Sequence, residues 1–277
     1  MTATSTATVP EITLNDGVTI PQLGFGTWQV PAKVAEESVT TALEAGYRHI
    51  DTAAIYGNEE GVGRALNSSG IPRDELFVTT KLWNDKHKAA DAREAIEMSL
   101  SNLGLDHVDL YLIHWPAVAS HGDEYIEAWD ALQTFQSEGL TRSIGVSNFN
   151  QEHLDAINGA TPSVDQIEMH PTFGQHDFRE SLLNQRIRPE AWSPLGQSKD
   201  LNNPAISQIA KVVGKTPAQV IIRWHLQLGT IIFPKSVTPS RIVGNFDVFD
   251  FELSDEQVKR INSQDTGNRI GDDPLKV

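Results

Sequence analysis

Four residues with complementary proton chemistry, Asp51, Tyr56, Lys81 and His114, follow successive predicted strands of the chain. A phenol is a weak acid with an ordinary pKa of about 10, and a nearby ammonium group lowers that pKa by stabilising the phenolate. A buried ammonium group needs an opposing charge, which Asp51 can supply. His114 can donate a hydrogen bond to a substrate oxygen. The set predicts a general acid and an orienting group for a carbonyl that receives a hydride.

Each of the four residues also has a purely structural interpretation when it is taken alone. Asp51 and Lys81 are compatible with a buried ion pair, Tyr56 with a loop aromatic, and His114 with a satisfied histidine at a strand end. Their placement at consecutive strand ends favours the chemical interpretation, because the carboxyl ends of barrel strands are where barrel enzymes carry their active sites.

The elements that must position these residues alternate between short β-rich runs and longer helical patterns. The sequence Asn15-Asp16-Gly17 first predicts an N-terminal β-hairpin. Strands are then predicted at 22–25, 47–51, 76–80, 108–113, 142–146, 164–168, 190–192 and 230–233. Helical patterns lie at 33–45, 58–68, 91–103, 124–138, 151–158, 177–185, 204–227 with a break at Gly214 to Pro217, 239–247 and 255–263.

Eight strands alternating with helices predict a parallel sheet, which can be an open Rossmann sheet or a closed barrel. The first strand-to-helix turn, beginning Gly24-Phe25-Gly26, lacks the third glycine of a dinucleotide-binding fingerprint. We therefore predict an α/β fold, a (β/α)₈ TIM barrel in a single domain over residues 1–277, with residues 1–10 flexible. Within the helices, we expect Asp91 and Ser254 to be N-caps and Gly104 to be a C-cap.

Composition narrows the classes of partner. The formal net charge is −15, from 22 Lys and Arg against 37 Asp and Glu, and this charge repels nucleic acid and anionic membrane. The chain contains no cysteine, which excludes disulfides and thiolate metal sites, and no histidine pair has metal-ligand spacing. The N-terminus has no secretory signal pattern, and no apolar run is long enough to span a bilayer. We expect a cytoplasmic monomer that acts on a small molecule and holds no metal.

Seven strings of residues surround these positions. They are HIDTAAIYGNEEGVG (49–63), TTKLWN (79–84), VDLYLIHWP (108–116), GVSNF (145–149), QIEMHP (166–171), WSPLG (192–196) and FPKSV (233–237). Together they resemble the aldo-keto reductases, and the resemblance runs in the family's order from about residue 11 to about residue 265. Within the family, YRHIDTAAIYGNEEGVG and the KTPAQ segment are most similar to bacterial 2,5-diketo-D-gluconate reductases.

The resemblance implies NADPH-dependent reduction of a small aldehyde or ketone. Tyr56 is then the general acid, Lys81 paired with Asp51 tunes it, and His114 orients the carbonyl. The implied contacts with NADPH or NADP are Gly26, Thr27, Asp51, Ser147, Asn148, Gln166, Trp192, Ser193, Leu195, Lys235, Ser236, Val237, Thr238, Arg241 and Asn245. Lys235 and Arg241 would bind the 2′-phosphate. The expected substrate wall is Trp28, Ile55, Trp83, His114, Trp115 and Phe149.

Two positions depart from the family pattern, and three other functions compete. Gly244 stands where many relatives have Glu. Asp165 stands where many relatives have Asn, which puts a possible negative charge near the sixth predicted strand, 164–168. A barrel glycosidase could use Asp51 and Glu168 as paired carboxylates. A serine hydrolase is disfavoured because Phe149 replaces the last glycine of G-x-S-x-G. A cofactor-sensing homologue without turnover is the third alternative.

Overall fold

The chain opens with a short antiparallel hairpin. The structure, a computed structural model, describes residues 9–277. Strands β1 (Glu11–Thr13) and β2 (Thr19–Pro21) pair antiparallel, as predicted. In the connecting turn, Asp16 accepts hydrogen bonds from the hydroxyls of Ser143 at 2.7 Å and Ser163 at 2.9 Å. The hairpin is therefore tied to strands of the main sheet.

Eight parallel strands form the main sheet in their order along the chain, and the sheet closes into a barrel. The strands are β3 (Gly24–Gly26), β4 (His49–Asp51), β5 (Phe77–Leu82), β6 (Val108–Ile113), β7 (Thr141–Ser147), β8 (Val164–Glu168), β9 (Arg188–Trp192) and β10 (Ile231–Ile232). Leu23 forms a parallel bridge with Ile232, whose N–H donates to the Gln22 carbonyl at 3.0 Å. This contact joins the last strand to the first and confirms the predicted TIM barrel.

Helices follow the strands and surround the barrel. They are α1 (Ala32–Ala45), α2 (Glu59–Ser68), α3 (Ala89–Leu103), α4 (Val118–His121), α5 (Glu124–Ser137), α6 (Gln151–Ala156), α7 (His176–Asn184), α8 (Pro204–Val213), α9 (Pro217–Gln227), α10 (Pro239–Phe246) and α11 (Asp255–Asn262). The predicted break within 204–227 is confirmed. Gly214 ends α8 in the left-handed region at φ 68°, and Thr216 caps α9 through a capping box with Gln219.

Several boundaries differ from the sequence predictions. Helix α3 begins before Asp91, which therefore lies in the first turn instead of at the N-cap, while Gly104 ends the helix as predicted. Ser254 caps α11 as predicted. Of the segment 1–10 expected to be flexible, residues 1–8 lie outside the described residues. Val9 packs against the core, and the Pro10 carbonyl accepts from Gln22 at 2.8 Å.

The barrel interior has an apolar lower layer and a polar upper layer. Alternate residues of a strand point to opposite faces, so Leu110 and Leu112 of β6 face inward below His114. They belong to a buried apolar cluster that includes Leu14 and Ile20 of the hairpin region. Above this apolar floor, the interior positions near the strand ends are polar. Among residues 9–277, no helix combines the length and apolarity needed to cross a membrane.

Candidate active site

A buried ion pair lies at the centre of the polar layer. The Lys81 ammonium contacts both carboxylate oxygens of Asp51, at 2.8 and 2.9 Å, and donates to the Thr52 carbonyl at 2.8 Å. Lys81 is fully buried and Asp51 nearly so. Neighbouring strands β4 and β5 place the two side chains in the same interior layer. The predicted pairing of these residues is present in the structure.

Tyr56 lies beside this pair, at the end of the short 3₁₀ turn Ala54–Tyr56 that follows β4. The Lys81 ammonium is 5.4 Å from the centroid of the phenol ring. Burial and the negative charge of Asp51 raise the pKa of Tyr56 well above its usual range. The expectation that Lys81 lowers this pKa is therefore not met. The physical reason is that Asp51 compensates the ammonium charge while the ring has lost most of its water.

His114 follows β6 and faces the same space. Its ring centroid is 5.7 Å from that of Tyr56 and 5.1 Å from that of Trp83. Burial, with a smaller effect from Lys81, lowers the pKa of His114 well below its usual range. The imidazole is therefore neutral near pH 7 and can donate one hydrogen bond to an oxygen in the mouth, the open end of the barrel at the carboxyl ends of its strands.

Ser147, Asn148 and Trp192 form a connected polar chain at the next strand ends. The Ser147 hydroxyl donates to the Gln166 carbonyl at 2.8 Å. The Asn148 amide nitrogen donates to the His114 carbonyl at 3.0 Å, and its oxygen accepts from the Trp192 indole at 2.8 Å. Asn148 adopts a left-handed φ of 62°. Asn adopts this conformation more readily than most residues other than glycine.

The Gln166 amide extends this network to a residue that the sequence analysis did not select, Glu190 of β9. Its nitrogen donates to Asp51 at 3.0 Å and to Glu190 at 2.9 Å. Glu190 is fully buried, and burial raises the pKa of its carboxyl to about 8. The signal that could have identified it is an acidic residue between apolar neighbours in a strand that is buried by the helices.

Burial of Glu190 has a consequence for stability that can be measured. Its pKa of about 8 in the folded state lies above the ordinary value of 4.5, so folding favours the neutral acid. The contribution of the neutral acid to stability is fully present below about pH 4.5. It is lost progressively as the pH rises from there through about 8. We expect the wild type to lose up to about 1.4 kcal/mol per pH unit relative to Glu190→Gln in this window. Urea unfolding of both proteins at pH 5.5, 7 and 8.5 measures the difference.

The groups that face Glu190 determine whether this expectation holds. On its own face of the sheet they are Asp51 and Lys81, which form an ion pair, and the neutral amide of Gln166. Asp165 acts on Glu190 by its charge from the opposite face of the neighbouring strand. All four are present in both proteins, so they largely cancel in the comparison. Parallel stability curves for the two proteins would show that Glu190 does not titrate in this range.

Burial disfavours the negative charge that Asp165 was expected to place near β8. Asp165 is fully buried, and among residues 9–277 no donor meets the full hydrogen-bond geometry at either carboxyl oxygen, although the backbone amide of Phe149 lies close enough to act on it. Burial raises the pKa of Asp165 well above its usual range, although the backbone amide of Phe149 works in the opposite direction. The neutral acid is favoured, and it resembles the Asn of many relatives in shape.

A second group of predicted residues lies after β10, at the start of α10. Lys235 is partly buried and Arg241 is exposed, and neither forms an ion pair within the described chain. Burial lowers the pKa of Lys235. Other cations of the described chain, such as Lys33 and Lys199, also lack an acidic partner, so the missing partners do not by themselves identify a site. The positive charge of Lys235 and Arg241 is compatible with the predicted contact with an anionic group.

The other predicted cofactor contacts lie either near the start of α10 or near β3 and the loop after β9. The Ser236 hydroxyl accepts from the Thr238 N–H at 3.0 Å, which shapes the turn that leads into α10. Val237 is exposed, whereas Asn245 is buried on α10, one turn beyond Arg241. At Gly244, where many relatives have Glu, an added Cβ would meet open space.

Near the first strand, the predicted contacts are more deeply buried. The Thr27 hydroxyl donates to the Asp51 carbonyl at 3.1 Å, and Thr27 is sealed from solvent. Gly26 is buried against the Phe233 carbonyl, which leaves no space for a Cβ. Ser193 and Leu195 are half-buried in the loop after β9.

Four of the five apolar residues predicted to form the substrate wall remain accessible. Trp28 and Ile55 are 42% and 48% exposed, and Trp83 and Trp115 are half-buried. Phe149 is an exception, because it is almost fully buried and packs edge-on against Tyr125 and His153 of the outer helices. This packing disfavours its predicted place in the substrate wall. Its ring points into the helix layer although it follows Asn148 directly.

The C-terminal segment, residues 266–277, lies along one side of the mouth. Glu168, at the end of β8, accepts hydrogen bonds from the backbone amides of Ile270 at 2.5 Å and Gly271 at 2.9 Å. Gly271 packs so closely on the Trp192 ring that a Cβ would not fit. The Val277 carbonyl accepts from the Ala119 amide at 2.9 Å. The segment thus connects the end of β8 with the loop after β6.

The glycosidase alternative requires two free carboxylates, and the structure disfavours it. Glu168 is held by the two backbone amides and by His170 at 3.0 Å, and Asp51 is held by Lys81. Neither group is free to protonate a leaving group or to attack a sugar. Among residues 9–277, no group of three or more metal-ligating side chains is placed to hold an ion.

Comparisons with known proteins agree with this geometry. The model of the aldo/keto reductase family matches residues 22–266. An aldo-keto reductase of Mycolicibacterium smegmatis is 51% identical over 268 residues, covering 96% of this chain and 97% of the relative. The methylglyoxal reductase DkgA of Escherichia coli is 48% identical over 268 residues, covering 95% and 96%. A crystal structure of a Gox0644 mutant in complex with NADPH superposes with a TM-score of 0.93, at 43% identity, covering 98% and 99% of the two chains.

Proposed function

This chain belongs to the aldo/keto reductase family of oxidoreductases, and we propose that it reduces a small aldehyde or ketone to the alcohol with NADPH as cofactor. The observation that carries the proposal is the arrangement around Tyr56. Its phenol lies 5.4 Å from a buried ammonium and 5.7 Å, ring to ring, from a neutral imidazole. This arrangement supplies a proton donor and an orienting donor in one water-poor space.

The residues at the mouth fit the chemistry of NADPH. Amide and hydroxyl groups of Ser147, Asn148 and Gln166 are complementary to a carboxamide, and the unpaired cations Lys235 and Arg241 are complementary to a phosphate. The relative of known structure that binds NADPH supports the same cofactor. NADPH, when bound, supplies the hydride. Under this proposal, the Trp192 ring would help to hold the nicotinamide.

The chain's own residues then handle the carbonyl oxygen. His114, which is neutral, donates a hydrogen bond that orients the oxygen. Tyr56, whose raised pKa keeps it protonated, gives its proton to that oxygen as negative charge develops there. The Lys81 ammonium opposes the effect of the Asp51 charge on the phenolate that remains, since an ammonium favours a nearby anion. The apolar walls formed by Trp28, Trp83 and Trp115 limit the access of water.

The substrate is proposed only as a class: a keto-sugar acid, a methylglyoxal-like carbonyl or a xenobiotic carbonyl. The name of the Escherichia coli relative supports methylglyoxal as a first candidate. Because every group of the proposed site comes from one chain and one closed barrel, we also propose that the protein acts as a monomer with a single domain.

Consumption of NADPH with a panel of carbonyl compounds tests the proposal directly. The panel contains 2,5-diketo-D-gluconate, methylglyoxal and an aromatic aldehyde, with NADH measured in parallel. We expect NADPH-selective turnover of at least one compound. NADPH binding without turnover of any of them would instead support the cofactor-sensing alternative, and the lack of both would refute the proposal.

Arg241 is expected to determine the preference for NADPH over NADH. A charged hydrogen bond contributes about 1.5–3 kcal/mol, so Arg241→Ala should weaken NADPH binding by about 10- to 100-fold and change NADH binding little. Fluorescence titration with both nucleotides measures the two dissociation constants. Arg260→Ala is the matched control, because Arg260 lies on α11 and contacts Gln208. Equal weakening of NADPH and NADH would contradict the 2′-phosphate assignment.

A further inference from the structure

The Gln166 amide is held by two buried carboxyl groups that act on the same atom. One amide atom lies 3.0 Å from an Asp51 oxygen and 2.9 Å from a Glu190 oxygen. Both Asp51 oxygens accept from the Lys81 ammonium, so the amide atom that faces Asp51 must be the donor nitrogen. The identity of this atom therefore follows from the chemistry of its neighbours.

The hydrogen bond to Glu190 fixes the orientation of the Gln166 amide plane, which the bond to Asp51 alone does not. A single bond to Asp51 determines which end of the amide faces the carboxylate, but it leaves the amide plane free to pivot about that bond. The bond to Glu190 uses the other N–H and fixes the plane. The side-chain amide oxygen of Gln166, unlike its backbone carbonyl, accepts no hydrogen bond from the described residues. It then has one direction, and it is not among the polar atoms sealed from solvent.

Glu190 has no other evident reason to be an acid. It is fully buried, its second oxygen has no partner within residues 9–277, and the nearby ammonium of Lys81 is bound to Asp51. Burying such a group costs free energy unless its hydrogen bonds compensate. Its one hydrogen-bond partner in the described chain is the Gln166 amide. The acid therefore has a single structural effect, which is to hold that amide.

We propose that Glu190 is a positioning residue that fixes the plane of the Gln166 amide so that its carbonyl oxygen faces an N–H donor of the ligand. This inference rests on the proposed binding of NADPH, whose nicotinamide carboxamide carries such a donor. The site then discriminates in favour of cofactors with an intact carboxamide. Glu190 itself touches neither cofactor nor substrate.

A cofactor analogue that lacks the N–H donor separates positioning from packing. In reduced 3-acetylpyridine adenine dinucleotide phosphate, a methyl group replaces the carboxamide NH₂. We expect the wild type to bind NADPH about tenfold more tightly than this analogue, which is the effect of one hydrogen bond. Glu190→Met keeps a similar volume but removes the acceptor. It should weaken NADPH binding about tenfold and leave analogue binding unchanged, so that the discrimination disappears.

Glu190→Gln provides the matched second variant, because its amide oxygen can still accept from Gln166 and most of the discrimination should return. Both variants are measured by fluorescence titration after thermal unfolding has confirmed that they fold. Equal weakening of both nucleotides in Glu190→Met, or no weakening at all, would overturn this inference alone. A wild type that binds neither nucleotide would overturn the proposed function and, with it, the inference.

Discussion

Replacing Tyr56 with phenylalanine is expected to reduce turnover by about 10²- to 10⁴-fold while NADPH still binds, because the variant lacks only the donated proton. This loss corresponds to roughly 3–5 kcal/mol of transition-state stabilisation. The phenol is the one proton donor of the mouth whose pKa is raised and whose neighbours include both Lys81 and His114. The ring itself remains, so the packing against His114 is preserved.

The measurements are kcat with the best carbonyl of the panel and the dissociation constant of NADPH from fluorescence. Tyr111→Phe is the matched control, since it removes the same hydroxyl from a buried tyrosine that packs against Phe135 of α5, in the outer layer. The Tyr111 hydroxyl has no hydrogen-bond partner in the described structure, so its loss should change neither turnover nor stability appreciably. Full activity of Tyr56→Phe would remove Tyr56 from its proposed role.

The fold could be predicted from the sequence because its signals are local. Each barrel strand is a short apolar run followed by a helical pattern, and all eight were predicted within a few residues. The break between α8 and α9 was predicted for the same reason, as Gly214 and Thr216 mark it locally. Helix α4 escaped prediction because it is a single turn, too short to show a helical period.

The site was only partly predictable because side-chain direction and distant contacts are not local properties. The motif GVSNF contains both Asn148, which faces the mouth, and Phe149, which packs among the outer helices, and the motif alone does not distinguish them. The role of Glu190 depends on its hydrogen bond with Gln166 of the neighbouring strand, and this contact is not visible in the sequence around Glu190. The C-terminal segment is held by Glu168, about a hundred residues earlier in the chain, through backbone amides that any sequence provides.

The pKa of Tyr56 shows the same limit in energetic terms. A pair of residue types, Tyr and Lys, predicts a lowered pKa, but the sign depends on how much of the ammonium charge is compensated and how much water is lost. In the structure, Lys81 is bound to both oxygens of Asp51, and burial dominates. The proposed chemistry is unaffected in direction, because reduction of a carbonyl requires the protonated phenol.

We expect variants of the Lys81–Asp51 pair to separate its contribution to stability from its contribution to turnover. Lys81→Met leaves the Asp51 carboxylate buried with Gln166 as its remaining side-chain donor. Breaking a buried pair in this way should lower the free energy of unfolding by about 3–5 kcal/mol. In the double variant Asp51→Asn/Lys81→Met no charge is left unpaired, so much of that stability should return. Turnover should stay low in both proteins, because neither has the ammonium that stabilises the phenolate.

Chemical denaturation and kcat, measured on both variants, test this separation. Lys215→Met is the control, because its ammonium lies between the exposed carboxylates of Asp247 and Asp250, at 3.3 and 2.7 Å. A surface pair of this kind contributes about 0–1 kcal/mol, so the control should lose little stability and no activity. If the double variant regained turnover together with stability, the ion pair would serve only the fold, and the proton of Tyr56 would have to be controlled by another group. If instead stability returns and turnover does not, the ammonium acts on the reaction itself.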